Sequence, residues 1–406
     1  MIKTIKFLWI KITKSISLGT YILLLIGCVT PFDGVPSDFE EVLVVESIIT
    51  QEYKKHEVFL SRSYPFGGSF TPEKNAVVRV NDDRGNTYTF EEKSNGKYLA
   101  SDEFSASQNT NYTLNITTAD GENYESKPQS LITSANLDRL YAEKTYDDFG
   151  REGIGIYIDS YDPSSKSKLY RFDFEETYKV VAPLWSPYDA VVVNEGRSTF
   201  DLSVILRERE EQVCFGYGTS SSIILNNTLG LSEDRLEKFQ VHFIRKDDPK
   251  LQHRYSILVR QYVQSKETYS FFETLQGLSQ GSENIFSEDQ PGFIEGNIFN
   301  TNNSSENIAG YFQVSSTDEE RIFLNFNDFF EGSELPPYFN NCNLTAPITD
   351  GTRGNRPLLN LIYQDEVRFY QYNFGVMEGG PFIMVSPECG DCTTFGSNKK
   401  PSFWVE

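Results

Sequence analysis

Tyr112-Thr113-Leu114-Asn115-Ile116-Thr117 decides the fold class of this chain, because apolar and polar residues alternate along it. A period of two places Tyr112, Leu114 and Ile116 on one face of an extended strand. Asp120-Gly121 follows and is typical of a hairpin turn that needs a positive φ. The stretch therefore predicts an antiparallel sheet that buries one of its two faces.

The same pattern recurs through residues 42–130, where short apolar runs are separated by turn residues. The runs are Val42-Leu43-Val44-Val45-Glu46-Ser47-Ile48-Ile49, His56-Glu57-Val58-Phe59-Leu60, Ala76-Val77-Val78-Arg79-Val80 and Thr87-Tyr88-Thr89-Phe90. Regularly spaced short strands of this kind favour an immunoglobulin-like β-sandwich. Asp82-Asp83 lies in one of the turns. Acidic residues in such a position more often only form the turn than bind calcium.

Residues 126–137 are predicted to link this sandwich to a larger antiparallel β domain at residues 138–406. Ile154, Ile156 and Ile158 alternate with Gly155, Tyr157 and Asp159, and Tyr170, Phe172 and Phe174 alternate with Arg171, Asp173 and Glu175. Both runs indicate half-buried strands. The predicted fold is therefore mainly β, with one or two short helices.

One helix is predicted near residues 266–278, which place Tyr269, Phe272 and Leu275 on one face. Phe271 and Leu278 lie beside that face, and Ser265 can cap the first turn. An aromatic stripe at helical spacing usually belongs to a core. We therefore expect this helix to pack on the second sheet.

Leu25-Ile26-Gly27-Cys28 ends an apolar run that follows four lysines, the arrangement of a lipoprotein signal peptide at residues 1–27. The run is too short to span a bilayer core of about 30 Å. We expect cleavage before Cys28, lipidation of Cys28 with several acyl chains, palmitate among them, and a tether at residues 28–41. Several acyl chains give a stable anchor. Acidic residues after Cys28 favour display on the cell surface.

The charge of the chain argues against several partners. Removing residues 1–27 removes 4 basic residues and no acidic one, so the formal net charge changes from −21 to −25. Such a surface repels phosphate backbones, and nucleic-acid binding is not expected. Three His residues are few for a metalloenzyme, and no metal or other cofactor is predicted.

Four cysteines remain once Cys28 is set aside: Cys214, Cys342, Cys389 and Cys392. An even number in an exported chain indicates two structural disulfides, with three possible connectivities. Cys389-Gly390-Asp391-Cys392 lacks the βαβ setting of a redox pair. It also lacks the second close Cys or His pair that a zinc site needs.

Two short patterns resemble catalytic motifs but fail their structural conditions. Residues 150–155 read Gly-Arg-Glu-Gly-Ile-Gly, yet they precede a strand where a dinucleotide loop joins a strand to a helix. Ser165 and Lys168 match Ser-x-x-Lys in a polar turn without partner motifs. His56, His242 and His253 lie in or beside strand-like runs, so we expect structural roles for them.

Several stretches resemble a family of Bacteroidota lipoproteins, domain of unknown function 4249. One is the lipobox, the cleavage and lipidation motif Leu25-Ile26-Gly27-Cys28. The others are Leu43-Val44-Val45-Glu46, Phe174-Glu175-Glu176, Arg254-Tyr255-Ser256-Ile257-Leu258-Val259-Arg260-Gln261-Tyr262, Gly296-Asn297-Ile298, Gly310-Tyr311-Phe312, Cys389-Gly390-Asp391-Cys392 and Lys400-Pro401-Ser402-Phe403-Trp404. The family commonly has Trp or Tyr after the first of the four cysteines, and this chain has Phe215. The resemblance implies an outer-membrane lipoprotein, often encoded beside a TonB-dependent receptor, with no defined catalytic residues.

Three functions follow from these observations, in descending order of support. The first is a non-enzymatic cell-surface lipoprotein that captures substrate for a TonB-dependent outer-membrane transporter or acts as its accessory. The second is a structural accessory subunit of an outer-membrane assembly or secretion complex. The third is a hydrolase, for which the sequence offers plentiful carboxylates but no recognisable nucleophile motif. The sequence names no ligand-binding residue.

Overall fold

The computed structural model describes residues 41–64, 68–132, 135–195, 200–281, 294–349 and 356–406. The predicted signal peptide with its lipobox, Cys28 and the tether up to residue 40 lie outside the described residues. The chain divides into two compact units. One is Met1–Glu41 with Arg62–Thr71, and the other, which carries every site discussed below, is Val42–Ser61 with Pro72–Glu406.

The regular structure is dominated by strands. The first nine are β1 Leu43–Thr50, β2 Glu57–Arg62, β3 Thr71–Pro72, β4 Val77–Asp82, β5 Thr87–Ser94, β6 Lys97–Ala100, β7 Asn111–Thr117, β8 Asn123–Ser126 and β9 Gln129–Ser130. The next nine are β10 Asn136–Tyr146, β11 Glu152–Asp162, β12 Leu169–Val181, β13 Tyr188–Glu195, β14 Phe200–Leu206, β15 Val213–Thr219, β16 Ile224–Asn227, β17 Asp234–Arg245 and β18 Tyr255–Val263. The remaining strands are β19 Ile298–Asn300, β20 Ile308–Ser315, β21 Thr317–Leu324, β22 Arg368–Tyr372 and β23 Phe382–Val385.

Helices are short and few in the described part of the chain. The α-helices are α1 Lys266–Gly281, α2 Pro357–Tyr363 and α3 Pro387–Gly390, and single 3₁₀ turns lie at Pro249–Leu251, Phe326–Asp328 and Cys392–Thr394. No helix of the described ranges has both the length and the apolar composition to cross a bilayer. The prediction of a mainly β protein with short helices is confirmed.

The first large sheet follows the order β19-β8-β7-β4-β5-β6-β2-β1-β20. Alternation sets its buried face, because Tyr112, Leu114 and Ile116 of β7 point into one apolar core. The strands form one continuous sheet, whereas an immunoglobulin-like sandwich has two, so that finer prediction is not confirmed.

The two ends of this sheet come from a segment far along the chain. β19 pairs antiparallel with β8, and β20 pairs parallel with β1 in the register Leu43↔Ile308 to Thr50↔Ser315. The Asn297 side chain then joins these two ends, because it donates to Phe312 O (2.7 Å) and accepts from Phe312 N (2.9 Å). The sheet is therefore nearly closed, like a barrel.

A second body of two sheets is formed by β10–β12, β15–β18 and β21, whereas β13 and β14 pair with each other in a separate two-stranded sheet. A three-stranded sheet has the order β10-β11-β17, and a five-stranded sheet has the order β15-β12-β18-β21 with β16 beside β12. Their side chains form one core, in which Ile154, Ile156 and Ile158 of β11 meet Phe172 and Phe174 of β12. The strands predicted from these two alternating runs are confirmed.

The structure has two disulfides near the end of the chain, of which the one at Cys214 joins that end to this body. Cys214 bonds to Cys392, and Cys342 bonds to Cys389. The structure thus selects one of the three connectivities that the sequence left open. The neighbouring Cys389 and Cys392 each pair with a distant cysteine, so they do not form a Cys-x-x-Cys disulfide with each other.

Candidate functional site

Helix α1 contacts both β bodies. The Ser265 hydroxyl accepts from Thr268 N at 3.1 Å and caps the helix, as the sequence predicts. The Phe271 ring lies 4.8 Å from the Tyr311 ring of β20 in the first sheet. The Phe272 ring lies 4.8 Å from the Arg171 guanidinium of β12 in the second. The aromatic residues of this helix therefore do more than pack on the second sheet.

A groove of about 480 Å³ lies between α1 and the outer face of the β1–β20 pair. Phe271, Phe272 and Leu275 line its helical side, and Val44 and Tyr311 are among the strand residues opposite. Outward residues of β1 reach the groove because their neighbours, Leu43, Val45 and Ile49, fill the core of the first sheet. A largely apolar cavity of this size is typical of a small-molecule site.

Arg171 is the basic residue of the groove lining, whose other charged residue is the exposed Glu46. The Arg171 guanidinium stacks over Tyr262 at 4.5 Å as well as over Phe272. Its Nε and Nη2 atoms are buried and have no hydrogen-bond partner. Its Nη1 atom lies 3.9 Å from Asp173 Oδ2, beyond hydrogen-bond distance.

A second cavity of about 350 Å³, the recess, shares Arg171 with the groove. It is lined by polar residues that include Ser220, Ser221, Ser222 and Arg260. Arg260 differs from Arg171 because it binds Glu175 (2.5 Å) and Glu319 (2.6 Å). Burial lowers the pKa of Arg260, but those two carboxylates raise it by more than burial lowers it, so the net shift is upward.

Asp173 lies between these two arginines and also lines the recess. Burial raises the pKa of the Asp173 carboxyl, while Arg171, Arg260 and the Tyr262 hydroxyl act in the opposite direction. Its Oδ1 atom is buried without a partner. Arg171 and Asp173 are thus two neighbouring, partly buried side chains, each with buried atoms that lack a hydrogen-bond partner. Such pairs are uncommon in folded proteins and call for a functional explanation.

The opposite face of β12 carries a buried charge cluster around Glu176. The Glu176 carboxylate accepts from Tyr255 (2.7 Å) and from Lys250 (2.5 Å), and His242 Nε2 lies 3.9 Å away. Burial raises the pKa of Tyr255 well above its usual value and lowers the pKa of His242. No Ser, Thr or Cys in the described ranges bonds to His242, so this cluster does not assemble a nucleophile with its base.

The other two histidines lie apart from both cavities discussed above. His56 is fully buried, and its Nε2 atom lies 3.0 Å from Phe104 O. Burial lowers the pKa of His56 to about 4 and also lowers the pKa of the half-buried His253. His56 and His253 therefore favour the neutral form near neutral pH.

The Asp82-Asp83 turn is stabilised by its own chain. Asp82 accepts from the backbone N–H groups of Arg84 and Asn86, and from the side chains of Asn86 and Tyr88. These hydrogen bonds account for the lowered pKa of Asp82, although burial opposes them. Within the described ranges, His, Cys, Asp and Glu side chains form no group of three or more suited to a metal ion.

The sequence did not single out Arg171 or the groove. Arg171 has an ordinary place in the alternation of β12, on the outward side next to the buried Phe172. Its isolation from acceptors depends on Tyr262 of β18 and Phe272 of α1, which are about 90 and 100 residues away in sequence. The aromatic residues on one face of α1 were visible in the sequence. That pattern alone does not show whether the side chains fill a core or line a cavity.

The model of the family Domain of unknown function (DUF4249) matches residues 29–321. The chain belongs to the DUF4249 family. The match contains every residue of the groove and the recess, and also Cys214. Cys342, Cys389 and Cys392 follow the matched range. A comparison with curated proteins finds no match.

Proposed function

We propose that this DUF4249 protein is a non-enzymatic outer-membrane lipoprotein that captures a small ligand for a TonB-dependent transporter. An acylated Cys28 would hold it on the cell surface, with residues 28–41 as the tether. The observation that carries the proposal is the groove, because it combines apolar walls with an incompletely bonded Arg171. Most ligand sites share this design, in which apolar surface binds and a few polar groups orient.

The anchor has its own test. Cys28→Ala removes the acylation site, so the protein should leave the membrane fraction or accumulate as uncleaved precursor. Fractionation with immunoblotting measures this, and Ser37→Ala, a substitution in the tether that leaves Cys28 in place, serves as the control. Unchanged membrane recovery of a correctly processed Cys28→Ala protein would refute the lipoprotein part of the proposal.

The partner is tested by purification of the tagged native protein from its own outer membrane in mild detergent, with mass spectrometry of what accompanies it. A stoichiometric TonB-dependent receptor supports substrate capture. The groove is tested in parallel by Leu275→Trp, which fills it. The variant should still copurify with the receptor but should abolish growth on the imported ligand. A barrel-assembly or secretion component in place of the receptor would refute the transporter partnership.

The second candidate function, a structural subunit, is supported by a different surface. The loop between β22 and β23 exposes Phe374 (88%) and Val376 (71%). Asn373 holds the loop, because its side chain accepts from Val376 N and Met377 N and donates to Met377 O and Gly380 O. Exposed apolar side chains on an ordered loop are typical of a protein contact. Phe374→Ser should weaken recovery of a partner that binds there and should leave the groove unaffected.

A further inference from the structure

The kind of ligand that the groove can bind depends on the hydrogen-bond acceptors that Arg171 lacks. The Arg171 guanidinium carbon lies 4.5 Å from the centre of the Tyr262 ring and 4.8 Å from the centre of the Phe272 ring, and the N–H groups of a guanidinium point outward from the edges of its plane. Two of the three nitrogen atoms at those edges, Nε and Nη2, have no acceptor. An acceptor for this edge would therefore complete the site.

The protein itself supplies no good acceptor to Arg171. Asp173 is the neighbouring carboxylate, but it stands 3.9 Å from Nη1. Burial raises the pKa of Asp173, which disfavours the charge that would compensate Arg171. Two other carboxylates of this sheet face, Glu175 and Glu319, are bound to Arg260. Arg171 therefore has aromatic contacts but no hydrogen bond to a carboxylate.

A carboxylate is the group that best fits such an edge, because two parallel N–H donors match its two oxygen atoms. We propose that the groove binds a small monocarboxylate with an apolar body, its carboxylate on Arg171 and its body against Phe271, Phe272 and Leu275. This assignment rests on the ligand-capture function proposed above and names its ligand class.

Entry of the acid requires a local movement. Nε and Nη2 lie below the protein surface, and the Phe272 ring that stacks on the guanidinium is half-buried on the groove side of α1. We place this movement at the Phe272 side chain, whose displacement from the guanidinium would connect Arg171 with the groove. Glu46, the other charged residue of the lining, is exposed to water, which weakens its effect on a bound charge.

The test compares three ligands of the same shape: 4-phenylbutyrate, 4-phenylbutanamide and 4-phenylbutylamine. Isothermal calorimetry on the full-length processed protein in phosphatidylcholine nanodiscs, with empty discs subtracted, gives the three affinities. We expect the acid to bind at least about tenfold more tightly than the amide, because a charge-assisted pair contributes more than a neutral hydrogen bond. The amine should bind most weakly.

Variants test whether Arg171 causes the tighter binding of the acid. Arg171→Met should reduce the acid-to-amide ratio to about one and change amide binding less than about threefold. Arg235→Met is the matched control, since Arg235 also stacks on a tyrosine, Tyr161 at 3.9 Å, but lies outside the groove lining. Leu275→Trp should weaken all three ligands alike. If Arg171→Met lowers the melting temperature strongly, Arg171→Lys replaces it and should retain part of the preference.

Each remaining outcome bears on a different claim. Equal binding of acid and amide to the unmodified protein, or tighter binding of the amine, would refute the carboxylate assignment and leave ligand capture standing. An acid preference that survives Arg171→Met would also refute the assignment. No binding of any of the three ligands would refute both the assignment and capture in this groove.

Discussion

At the scale of single residues, burial decides how His56 behaves. Its ring packs 4.7 Å from the Phe104 ring, its Nε2–H donates to Phe104 O, and its Nδ1 atom has no partner. Protonation would place a charge in this apolar setting, with Lys54 as an additional unfavourable charge and Glu52 as a favourable one. The pKa of His56 consequently falls to about 4.

This shift predicts a loss of stability in acid. The unfolded chain binds a proton at His56 below a pH of about 6.5, and the folded protein does so only near pH 4. The contribution is therefore complete above pH 6.5 and disappears as the pH falls towards 4, up to about 3 kcal/mol. Urea unfolding of the unmodified protein and of His56→Gln, which keeps an N–H donor, should show a gap that narrows across this range.

His253→Gln is the control, because its ring is only half-buried. The pH dependence of that variant should stay close to that of the unmodified protein. A His56→Gln curve parallel to the unmodified one from pH 7.5 to pH 4 would show that His56 does not titrate as described.

At the scale of elements, β20 depends on one glycine. Gly310 has φ = +100°, a conformation that side chains disfavour. A Cβ atom there would lie 1.9 Å from Val45 O of β1, and one at Gly296 would lie 1.8 Å from Gly310 O. The two glycines therefore let three backbone segments approach closely where the first sheet nears closure. This explains the Gly296-Asn297 and Gly310-Tyr311-Phe312 stretches in physical terms.

Gly310→Ala should destabilise the protein by about 2–4 kcal/mol, because it adds both backbone strain and a steric overlap. Denaturant unfolding measures the change. Gly230→Ala is the matched control, since Gly230 has no atom within 4 Å of a Cβ position and lies outside the positive-φ set. It should change stability by less than about 0.5 kcal/mol. Equal effects of the two substitutions would argue against a special role for Gly310.

At the scale of the whole molecule, distant parts of the chain complete each other. Leu43, Val45 and Ile49 of β1 share a core with Phe312 and Val314 of β20. A fragment of residues 42–132 should therefore lack a stable fold, because both end strands of its sheet and part of its core are missing. Amide dispersion in an NMR spectrum measures this. A well-dispersed, cooperatively unfolding fragment would instead show that the first strands fold independently.

The loop lengths of the two disulfides predict which disulfide stabilises the protein more. Cys214 and Cys392 are 178 residues apart, whereas Cys342 and Cys389 are 47 apart. Longer loops lose more entropy on closure, so both pairs should contribute about 2–5 kcal/mol, with about 1 kcal/mol more for the longer loop. Paired Cys→Ala variants with denaturant unfolding test this. A larger loss for the shorter loop would mean that packing outweighs chain entropy here.

Local chemistry made much of the fold predictable from sequence. Alternation at Tyr112–Ile116, Ile154–Ile158 and Tyr170–Phe174 fixes the strands and their buried faces, because a strand's side chains alternate whatever lies around them. The cap at Ser265 is equally local. The number of cysteines indicated two disulfides but left their pairing open, because pairing depends on distances between remote segments.

The sequence by itself determined the fold class, the strands with the clearest alternating runs and the start of helix α1. Only the tertiary structure decided that β19 and β20 complete the first sheet, and that Arg171 contacts the Tyr262 and Phe272 rings without a hydrogen-bond acceptor. The physical reason is the distance along the chain over which each interaction acts. Periodicity and capping act within a few residues, whereas sheet closure and the isolation of a buried charge depend on which remote surfaces exclude water together.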